Sequence, residues 1–202
     1  MKVTIFTSNN LRHNFLVNFM SNFCDQLWVV QECRTLFTEK DYSSKKPSEL
    51  MENYFGKVKE AQNKFFNNLY VSNVNKNISI MPILYGELNN CSLTDLKDFL
   101  KSDLYIVFGS SFIKGDLVEF LISKRAINIH AGITPYYRGS DCNFWALYDN
   151  NPHLVGTTIH LLSKGLDNGP ILYHAMSNHK TNPFEYTMST LKSAFQSIAD
   201  KV

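Results

Sequence analysis

The sequence predicts an α/β protein with a mainly parallel, twisted sheet and helices on both faces. Segments with the spacing of strands alternate with segments of helical spacing along the whole chain. The segment 104–108, LYIVF, is continuously apolar, as a strand buried on both faces is. Hydrophobic residues make up 44% of the 202 residues, so the chain can bury a sizeable core. A chain of this length fits one such domain.

The first elements follow from two periodicities. Residues 2–7 form a short apolar run that predicts the first strand, and residues 26–31 predict the second. Between them, residues 10–23 are predicted as a helix because apolar residues recur at every fourth position: Leu11, Phe15, Phe19 and Phe23.

A long helix is predicted over residues 47–70, with Pro47 at a position that suits the first turn. A short strand at 78–81 follows, and then a helix at 94–101 with Ser92 or Thr94 as its cap. The long helix has an apolar face formed by Leu50, Met51, Tyr54, Phe55, Val58, Ala61, Phe65 and Leu69.

The second half continues the alternation after the buried strand. Helices are predicted at 115–123, 141–150 and 183–201, and strands at 126–130, 154–161 and 171–175. The last two strands are expected to pair like a hairpin. The last helix has an apolar face that must be covered, formed by Phe184, Met188, Leu191, Phe195 and Ile198.

Asn128, His130 and Asp167 are the candidate catalytic residues. Asn128 and His130 are two residues apart at the end of a predicted strand, so their side chains point the same way. Asp167 lies in a Gly-Leu-Asp-Asn-Gly-Pro turn that constrains its backbone. An amide, an imidazole and a carboxylate can stabilise an oxyanion and move protons during acyl transfer.

The loop after the first strand is a candidate anion site. Ligands of such sheets bind beyond the carboxyl ends of the strands, and the free amides of the next helix attract phosphate. Side chains in this loop add charge or hydrogen bonds, which makes five residues candidates for substrate binding: Ser8, Asn9, Asn10, Arg12 and His13.

Composition excludes several functions. The net charge is +2 without a basic patch, so no nucleic-acid partner is expected. No apolar run reaches the ~18 residues of a membrane helix, and the start of the chain reads as a strand, so neither a membrane span nor a signal peptide is expected. No metal site is expected either. The cysteines form no CxxC pair, which indicates reduced thiols in a cytoplasmic protein: Cys24, Cys33, Cys91 and Cys142.

The chain resembles formyltransferases that use N10-formyltetrahydrofolate, with the strongest match over residues 104–174. The resemblance rests on Asn128-Ile129-His130, Pro135, Arg138-Gly139, Gly156-Thr157-Thr158 and Leu166-Asp167-Asn168-Gly169-Pro170-Ile171. It implies a Rossmann-like catalytic domain over residues 1–180, followed by a C-terminal helix at 181–202. It also implies that Asn128, His130 and Asp167 are catalytic.

The resemblance further implies two binding regions. The pterin of the folate is expected to lie against residues after strand 104–108 and next to the aspartate loop: Phe108, Gly109, Ser110, Phe112, Ile113 and Leu166. The acceptor is expected to contact the loop that carries Tyr136, Tyr137 and Arg138.

The first loop distinguishes among the family's substrates. It lacks the glycines that purine-pathway transformylases have there, and its Ser-x-x-x-Arg-His pattern looks like that of sugar N-formyltransferases. The expected acceptor is therefore a nucleotide-linked amino sugar, as in polysaccharide biosynthesis. A transformylase of a glycinamide ribonucleotide and a non-catalytic ligand-binding protein of the same fold remain alternatives. Methionyl-tRNA formyltransferase and a formyl-folate hydrolase are disfavoured, because each needs an additional domain.

The final helix leaves one question open. Its apolar face is covered either by the chain's own sheet or by the same helix of a second subunit. Because symmetric pairs are the commonest oligomers, a two-fold homodimer is the expectation that this face raises.

Overall fold

The computed structural model describes residues 1–34, 48–66 and 77–202. The described strands are β1 Lys2–Ser8, β2 Gln26–Cys33, β3 Ile78–Leu84, β4 Leu104–Phe108, β5 Ile127–His130, β6 Thr157–Leu161 and β7 Ile171–Ala175. The described helices are α1 Leu11–Met20, α2 Glu49–Phe66, α3 Gly115–Ser123, α4 Cys142–Tyr148 and α5 Pro183–Ala199. Short 3-10 turns lie at Glu87–Asn90 and Pro152–Leu154.

The strands form one sheet in the order β3-β2-β1-β4-β5-β6-β7. The first five strands are parallel to one another, whereas β6 is antiparallel to β5 and β7 is antiparallel to β6. This confirms the predicted mainly parallel α/β fold and the hairpin-like pair at its end.

The strand order reverses beside β1. The chain builds outward from β1 to β2 and β3, and then crosses back to place β4 on the other side of β1. The loops after β1 and β4 therefore leave the sheet in opposite directions, which opens a crevice at their carboxyl ends. Thr7 of β1 pairs with Phe108 of β4 at this edge.

The core lies on both faces of the sheet, because side chains alternate along each buried strand. In β4, Ile106 and Phe108 pack with α1 and α5, whereas Tyr105 and Val107 pack with α3. Phe195 of α5 is fully buried and contacts the rings of three other phenylalanines: Phe15, Phe66 and Phe108.

The predicted helix at 94–101 was wrong. The segment is a series of turns, in which the amides of Lys97 and Phe99 bond three residues back and those of Leu96 and Leu100 bond four residues back. Ser92 and Asp95 bond each other's backbone and side chains, and such local bonds compete with regular helix. The segment is held in place by Leu96, which is fully buried.

The apolar faces of the first two helices were predicted only in part. In α1 the fully buried residues are Leu16, Val17 and Met20, and the predicted residue Phe23 lies beyond the helix end. In α2, Ala61 and Phe66 are buried, but the predicted face is exposed at Leu50, Met51 and Phe55. The face therefore meets the core only in the second half of α2. Pro47 and Leu69 lie outside the described residues.

The apolar face of α5 is covered within the chain. Met188, Leu191, Phe195 and Ile198 are all buried in the same core cluster as β1 and β4. This face therefore needs no second subunit, and the reason for expecting a homodimer disappears. Among the described residues, no helix combines the length and apolar character needed to cross a membrane.

Candidate active site

The carboxylate of Asp167 is the centre of the candidate active site. Its Oδ1 accepts a hydrogen bond of 3.0 Å from the amide Nδ2 of Asn128. Its Oδ2 accepts one of 3.0 Å from the backbone N–H of Gly139 and lies 3.2 Å from Nδ1 of His130. The structure thus brings together the three residues that the sequence proposed as catalytic.

The loop between β6 and β7 positions this acid by close backbone packing. Asp167 itself has φ 45, a left-handed conformation that is strained for a residue with a side chain and is often found at functional sites. A Cβ at Gly169 would lie 1.8 Å from the carbonyl oxygen of Leu161, so only glycine fits there. The Thr134 hydroxyl also donates to the carbonyl oxygen of Asp167, over 3.3 Å.

His160 is a fourth member of the cluster that sequence reasoning missed. No motif in the sequence marks it, but β6 pairs with β5 so that His160 lies opposite Asn128. Its Nε2 is 3.0 Å from Nδ2 of Asn128 and 3.8 Å from Oδ1 of Asp167, and its Nδ1 is 2.8 Å from the carbonyl of Leu161. Nδ1 of His160 therefore faces a backbone acceptor, and its Nε2 faces both the amide of Asn128 and the carboxylate of Asp167.

His130 is neutral although the carboxylate of Asp167 lies beside it. Burial lowers the pKa of His130 more than Asp167 and the Tyr137 carbonyl raise it, so it lies below its ordinary value. Both ring nitrogens nevertheless face acceptors, since Nε2 is 3.0 Å from the Tyr137 carbonyl oxygen. The ring is neutral at pH 7. One of its two nitrogens therefore carries no proton, although it faces an acceptor.

Asp167 is the ionised member of the cluster. Burial alone would raise its pKa, but the contacts with His160 and His130 and the N–H of Gly139 outweigh burial and hold the pKa below its ordinary value. An ionised carboxylate is an acceptor on both oxygens. The site therefore contains a desolvated base next to two aromatic nitrogens and an amide.

A cavity of about 790 Å³ opens over this cluster, which is within the usual size of small-molecule sites. All six proposed folate-contacting residues line it: Phe108, Gly109, Ser110, Phe112, Ile113 and Leu166. Of the proposed acceptor-contacting residues, Arg12 and His13 line it. The structure places the other six outside this cavity: Ser8, Asn9, Asn10, Tyr136, Tyr137 and Arg138.

The loop residues Tyr136, Tyr137 and Arg138 are outside the cavity for a structural reason. The Tyr137 hydroxyl donates to Asp149 and accepts from Asn151, over 3.0 Å each, and its ring packs against a small cluster around Ala146 and Val155. Tyr136 and Arg138, on either side of it in the chain, are exposed.

His13 is buried between the loop after β1 and the loop after β4. Its Nδ1 is 2.6 Å from the hydroxyl of Ser8, and its ring packs edge-on against Phe108 at 4.6 Å. A Cβ at Gly109 would lie 2.4 Å from its Nε2, so the glycine lets the two loops meet. Burial, and then Arg12 and Arg34, lower the pKa of His13 well below its ordinary value.

Glu32 is a second residue that sequence reasoning missed, and it anchors the cavity wall. This fully buried carboxylate at the end of β2 accepts hydrogen bonds from the N–H of Gly86, the N–H of Ser111 and the Ser111 hydroxyl, over 2.8, 2.5 and 2.8 Å. It therefore ties the turn after β3 to the loop after β4. An acidic residue directly after the predicted strand 26–31, at the carboxyl end where such sheets bind ligands, is the signal that could have identified it.

The described residues contain no cluster of three or more histidine, cysteine or acidic side chains that could hold a metal ion. All four cysteines are free, as predicted, and burial raises the pKa of Cys142 to about 12.

Comparison with known proteins identifies the family. The sequence pattern of the family described as Formyl transferase matches residues 86–202, just over half of the chain. The chain belongs to the formyl transferase family. This confirms the resemblance drawn from residues 104–174.

Two curated relatives share parts of this region. The bifunctional polymyxin resistance protein ArnA of Wigglesworthia glossinidia brevipalpis is 29% identical over 93 residues, which is 46% of this chain and 14% of that protein. Methionyl-tRNA formyltransferase of Desulforamulus reducens is 34% identical over 73 residues, which is 36% of this chain and 23% of that protein. The matched regions thus span less than a quarter of these relatives.

Solved structures match over nearly the whole chain. Phosphoribosylglycinamide formyltransferase of Anaplasma phagocytophilum has a TM-score of 0.59 and 17% identity, over 99% of this chain and 87% of that one. A sugar N-formyltransferase of Shewanella sp FDAARGOS_354 has a TM-score of 0.57 and 19% identity, over 99% of this chain and 69% of that one. The formyltransferase PseJ of Anoxybacillus kamchatkensis was solved in complex with UDP-4,6-dideoxy-4-formamido-L-AltNAc and tetrahydrofolate. It has a TM-score of 0.51 and 18% identity, over 100% of this chain and 77% of that one. At these identities the likeness establishes the fold.

The buried His13 predicts a pH dependence of stability. Below pH ~6.5 the unfolded chain binds a proton at residue 13 that the folded chain does not, so stability falls as the pH drops. His13→Gln, which stays neutral, should flatten this dependence by up to about 1.4 kcal/mol per pH unit. Melting temperatures between pH 7.5 and 5 test this, with the exposed His153→Gln as control. Parallel curves for wild type and His13→Gln would contradict the prediction.

The Glu32 anchor predicts a local and global loss of stability. In Glu32→Gln the side-chain NH₂ must face the backbone N–H of either Gly86 or Ser111, whichever way the amide turns. We expect a loss of about 1.5 to 3 kcal/mol in unfolding free energy and faster hydrogen exchange at Ser111. The matched control is Glu119→Gln, because Glu119 pairs with Lys164 on the surface, where such pairs contribute about 0–1 kcal/mol. Equal losses in both variants would show that Glu32 is not an anchor.

Proposed function

We propose that this protein transfers a formyl group from N10-formyltetrahydrofolate to the amine of a nucleotide-linked amino sugar. The observation that carries this proposal is the ionised Asp167, held by Asn128 and next to His130, under a cavity of about 790 Å³. The chain's membership of the formyl transferase family supports the same chemistry. The protein is expected to act in the cytoplasm, in polysaccharide biosynthesis.

The cavity wall fits the folate. Phe112 and Leu166 are large apolar side chains that are about half exposed while they line the cavity, so a flat apolar ring between them would be favourably buried. The loop 109–111 beside them is held in shape by Glu32, which accepts from the N–H and the hydroxyl of Ser111. We therefore assign the pterin to Phe108, Gly109, Ser110, Phe112, Ile113 and Leu166.

Bound N10-formyltetrahydrofolate supplies the carbonyl carbon that the acceptor amine attacks. As the new N–C bond forms, negative charge develops on the formyl oxygen and the amine becomes acidic. Asp167 accepts the proton of the amine, directly or through water. Tetrahydrofolate would leave as the bond from the formyl carbon to N10 breaks, and the proton that Asp167 took from the amine would pass to N10, directly or through water, which returns Asp167 to its ionised form.

Asn128 couples the development of the oxyanion to the proton transfer from the amine to Asp167. In the ligand-free site one N–H of its amide donates to Asp167 and the other faces Nε2 of His160. If the developing oxyanion takes the N–H that Asp167 now holds, Oδ1 of Asp167 is freed to accept the proton from the amine. His130, neutral in the resting site, adds a second donor to the oxyanion when a ring N–H turns from its present acceptor.

Arg12 supports a phosphorylated acceptor. It lines the cavity at the start of α1, and among the described residues no carboxylate lies within 4 Å of it in an ion pair. A diphosphate would supply the missing partner through charge-assisted hydrogen bonds. A phosphoribosylglycinamide acceptor is the alternative, because solved enzymes of that class match the fold as well as the sugar N-formyltransferases do.

A panel of acceptors distinguishes these possibilities. The protein is mixed with N10-formyltetrahydrofolate and amino-sugar nucleotides, glycinamide ribonucleotide or methionyl-tRNA, and release of tetrahydrofolate is followed. Release only with an amino-sugar nucleotide supports the proposal, and release only with another acceptor replaces it. No release with any acceptor, together with retained folate binding, would favour a non-catalytic binding protein.

The catalytic assignment predicts large losses of turnover. Asn128→Ala, His130→Ala and Asp167→Ala should each lower kcat by at least ~100-fold, because each removes a donor or the base from one transition-state network. Circular dichroism and thermal unfolding confirm that the variants fold. His174→Ala serves as control, since His174 is a histidine of β7 that does not line the cavity. Near-normal turnover of a folded Asp167→Ala would remove the assignment.

The acceptor assignment predicts a selective change in affinity. Arg12→Ala should raise the KM of the acceptor by a factor equivalent to ~1.5 to 3 kcal/mol, because one charge-assisted contact is lost, and should leave the KM of the folate nearly unchanged. Arg138→Ala is the control, since Arg138 is exposed and outside the cavity. An effect on the folate alone would mean that the two substrates are assigned to the wrong regions.

A further inference from the structure

One part of the cavity wall is formed by aromatic rings from three helices. Tyr54 of α2, Phe144 and Tyr148 of α4, and Phe184 of α5 all line the cavity. The ring of Tyr54 lies 5.6 Å from that of Phe144 and 5.6 Å from that of Phe184, edge-on to both. Phe144 and Tyr148 are nearly parallel, at 6.1 Å and 25°. We refer to these four residues as the aromatic wall.

The described residues leave part of the aromatic wall exposed. Phe144 is 40% exposed and Tyr148 is 70% exposed. Exposed large apolar side chains that cluster in this way usually mark a binding surface. Because the aromatic wall lines the same cavity as Asp167, its ligand is one that also reaches the catalytic cluster.

Polar groups beside the aromatic wall restrict what this ligand can be. The Tyr54 hydroxyl donates to Oδ1 of Asp141 over 3.0 Å, which fixes the ring against α4. Burial and Asp141 raise the pKa of Tyr54 to about 12, so this hydroxyl remains a donor at neutral pH. Arg12 lines the same cavity, where burial lowers the pKa of its guanidinium and the nearby Asp141 and Tyr54 partly offset this effect.

The geometry points to a subsite in which the base of a nucleoside diphosphate stacks on Phe144 and Tyr148 while its diphosphate contacts Arg12. This assignment rests on the proposed function and names how the acceptor is held. A flat π system and a neighbouring anion match the two chemical features of this region, which are nearly parallel aromatic rings and a guanidinium with no ion pair among the described residues. Stacking on aromatic side chains is tolerant of the base, since every base has a π face.

The aromatic wall is also connected to the chemistry through the chain. Asp141, which Tyr54 holds, is two residues from Gly139, whose N–H donates to Asp167. Asp141 has φ 54, and this strained turn leads directly into α4 and Phe144. The turn 139–141 therefore joins the proposed base subsite to the catalytic carboxylate, so an acceptor held at one end is placed relative to the other.

Equilibrium binding tests this assignment without turnover. Isothermal titration calorimetry measures the Kd of UDP, TDP, CDP, GDP and ADP, and of inorganic pyrophosphate, for wild type, Phe144→Leu and Trp145→Leu. Phe144→Leu keeps an apolar side chain but loses the ring. Trp145→Leu is the control for indirect disturbance of the subsite, because Trp145 packs edge-on against Phe144 and Tyr148 but does not itself line the cavity.

We expect at least one nucleoside diphosphate to bind wild type more tightly than pyrophosphate does. Phe144→Leu should raise the Kd of that nucleotide by about 5-fold or more, in line with the loss of one stacked base. It should leave the Kd of pyrophosphate unchanged, and Trp145→Leu should change neither value.

Two results would overturn the subsite and leave the formyl transfer proposal standing. One is a nucleotide that binds no more tightly than pyrophosphate, and the other is equal weakening by Phe144→Leu and Trp145→Leu. If none of the nucleotides binds wild type, both the subsite and the nucleotide-linked acceptor are wrong. Turnover with the acceptor panel then shows whether formyl transfer itself remains.

Discussion

The hydrogen bond between Asn128 and Asp167 is the contact on which the site depends. It joins the last parallel strand, β5, to the loop between two antiparallel strands, β6 and β7. The same carboxylate also receives the N–H of Gly139 and faces His130, so two segments, β5 and the turn at Gly139, converge on the side chain of a third. A buried carboxylate without these partners would be costly to ionise, and the polar network around it offsets that cost. The change from parallel to antiparallel pairing at β5 therefore places the acid over the end of the strand that carries the amide and the imidazole.

Much of the fold could be predicted from the sequence, because its strongest signals are local. The apolar run 104–108 and the helical spacing in 115–123 both became elements with the predicted bounds. Segments 94–101 and 47–70 were predicted less well. Local bonds between Ser92 and Asp95 replaced the first helix with turns, and the exposed Leu50, Met51 and Phe55 of α2 show that helical spacing does not require burial. A pattern in the sequence indicates which side chains share a face, whereas packing decides whether another element covers it.

The candidate site shows the same division. Asn128, His130 and Asp167 lie in short motifs with fixed spacing, and the structure brings them together. His160, Glu32 and Tyr54 carry no such motif. Each reaches the cavity or its wall only because distant segments pack together. These segments are β5 with β6, β2 with the loop after β4, and α2 with α4. Tyr137 illustrates the opposite error, since a large side chain beside the site is fixed to Asp149 and Asn151 instead.

The donor from Gly139 to Asp167 is a backbone amide, and this gives the turn 139–141 an influence that side-chain contacts lack. No substitution short of proline removes that N–H, but any displacement of the turn changes its distance from the carboxylate. The proton affinity of Asp167 thus depends on the local conformation of the turn. By thermodynamic linkage, a ligand that prefers one position of the turn must bind with different affinity to the protonated and ionised forms of the protein. Ligand affinity and the proton affinity of Asp167 therefore both depend on the conformation of the same backbone turn.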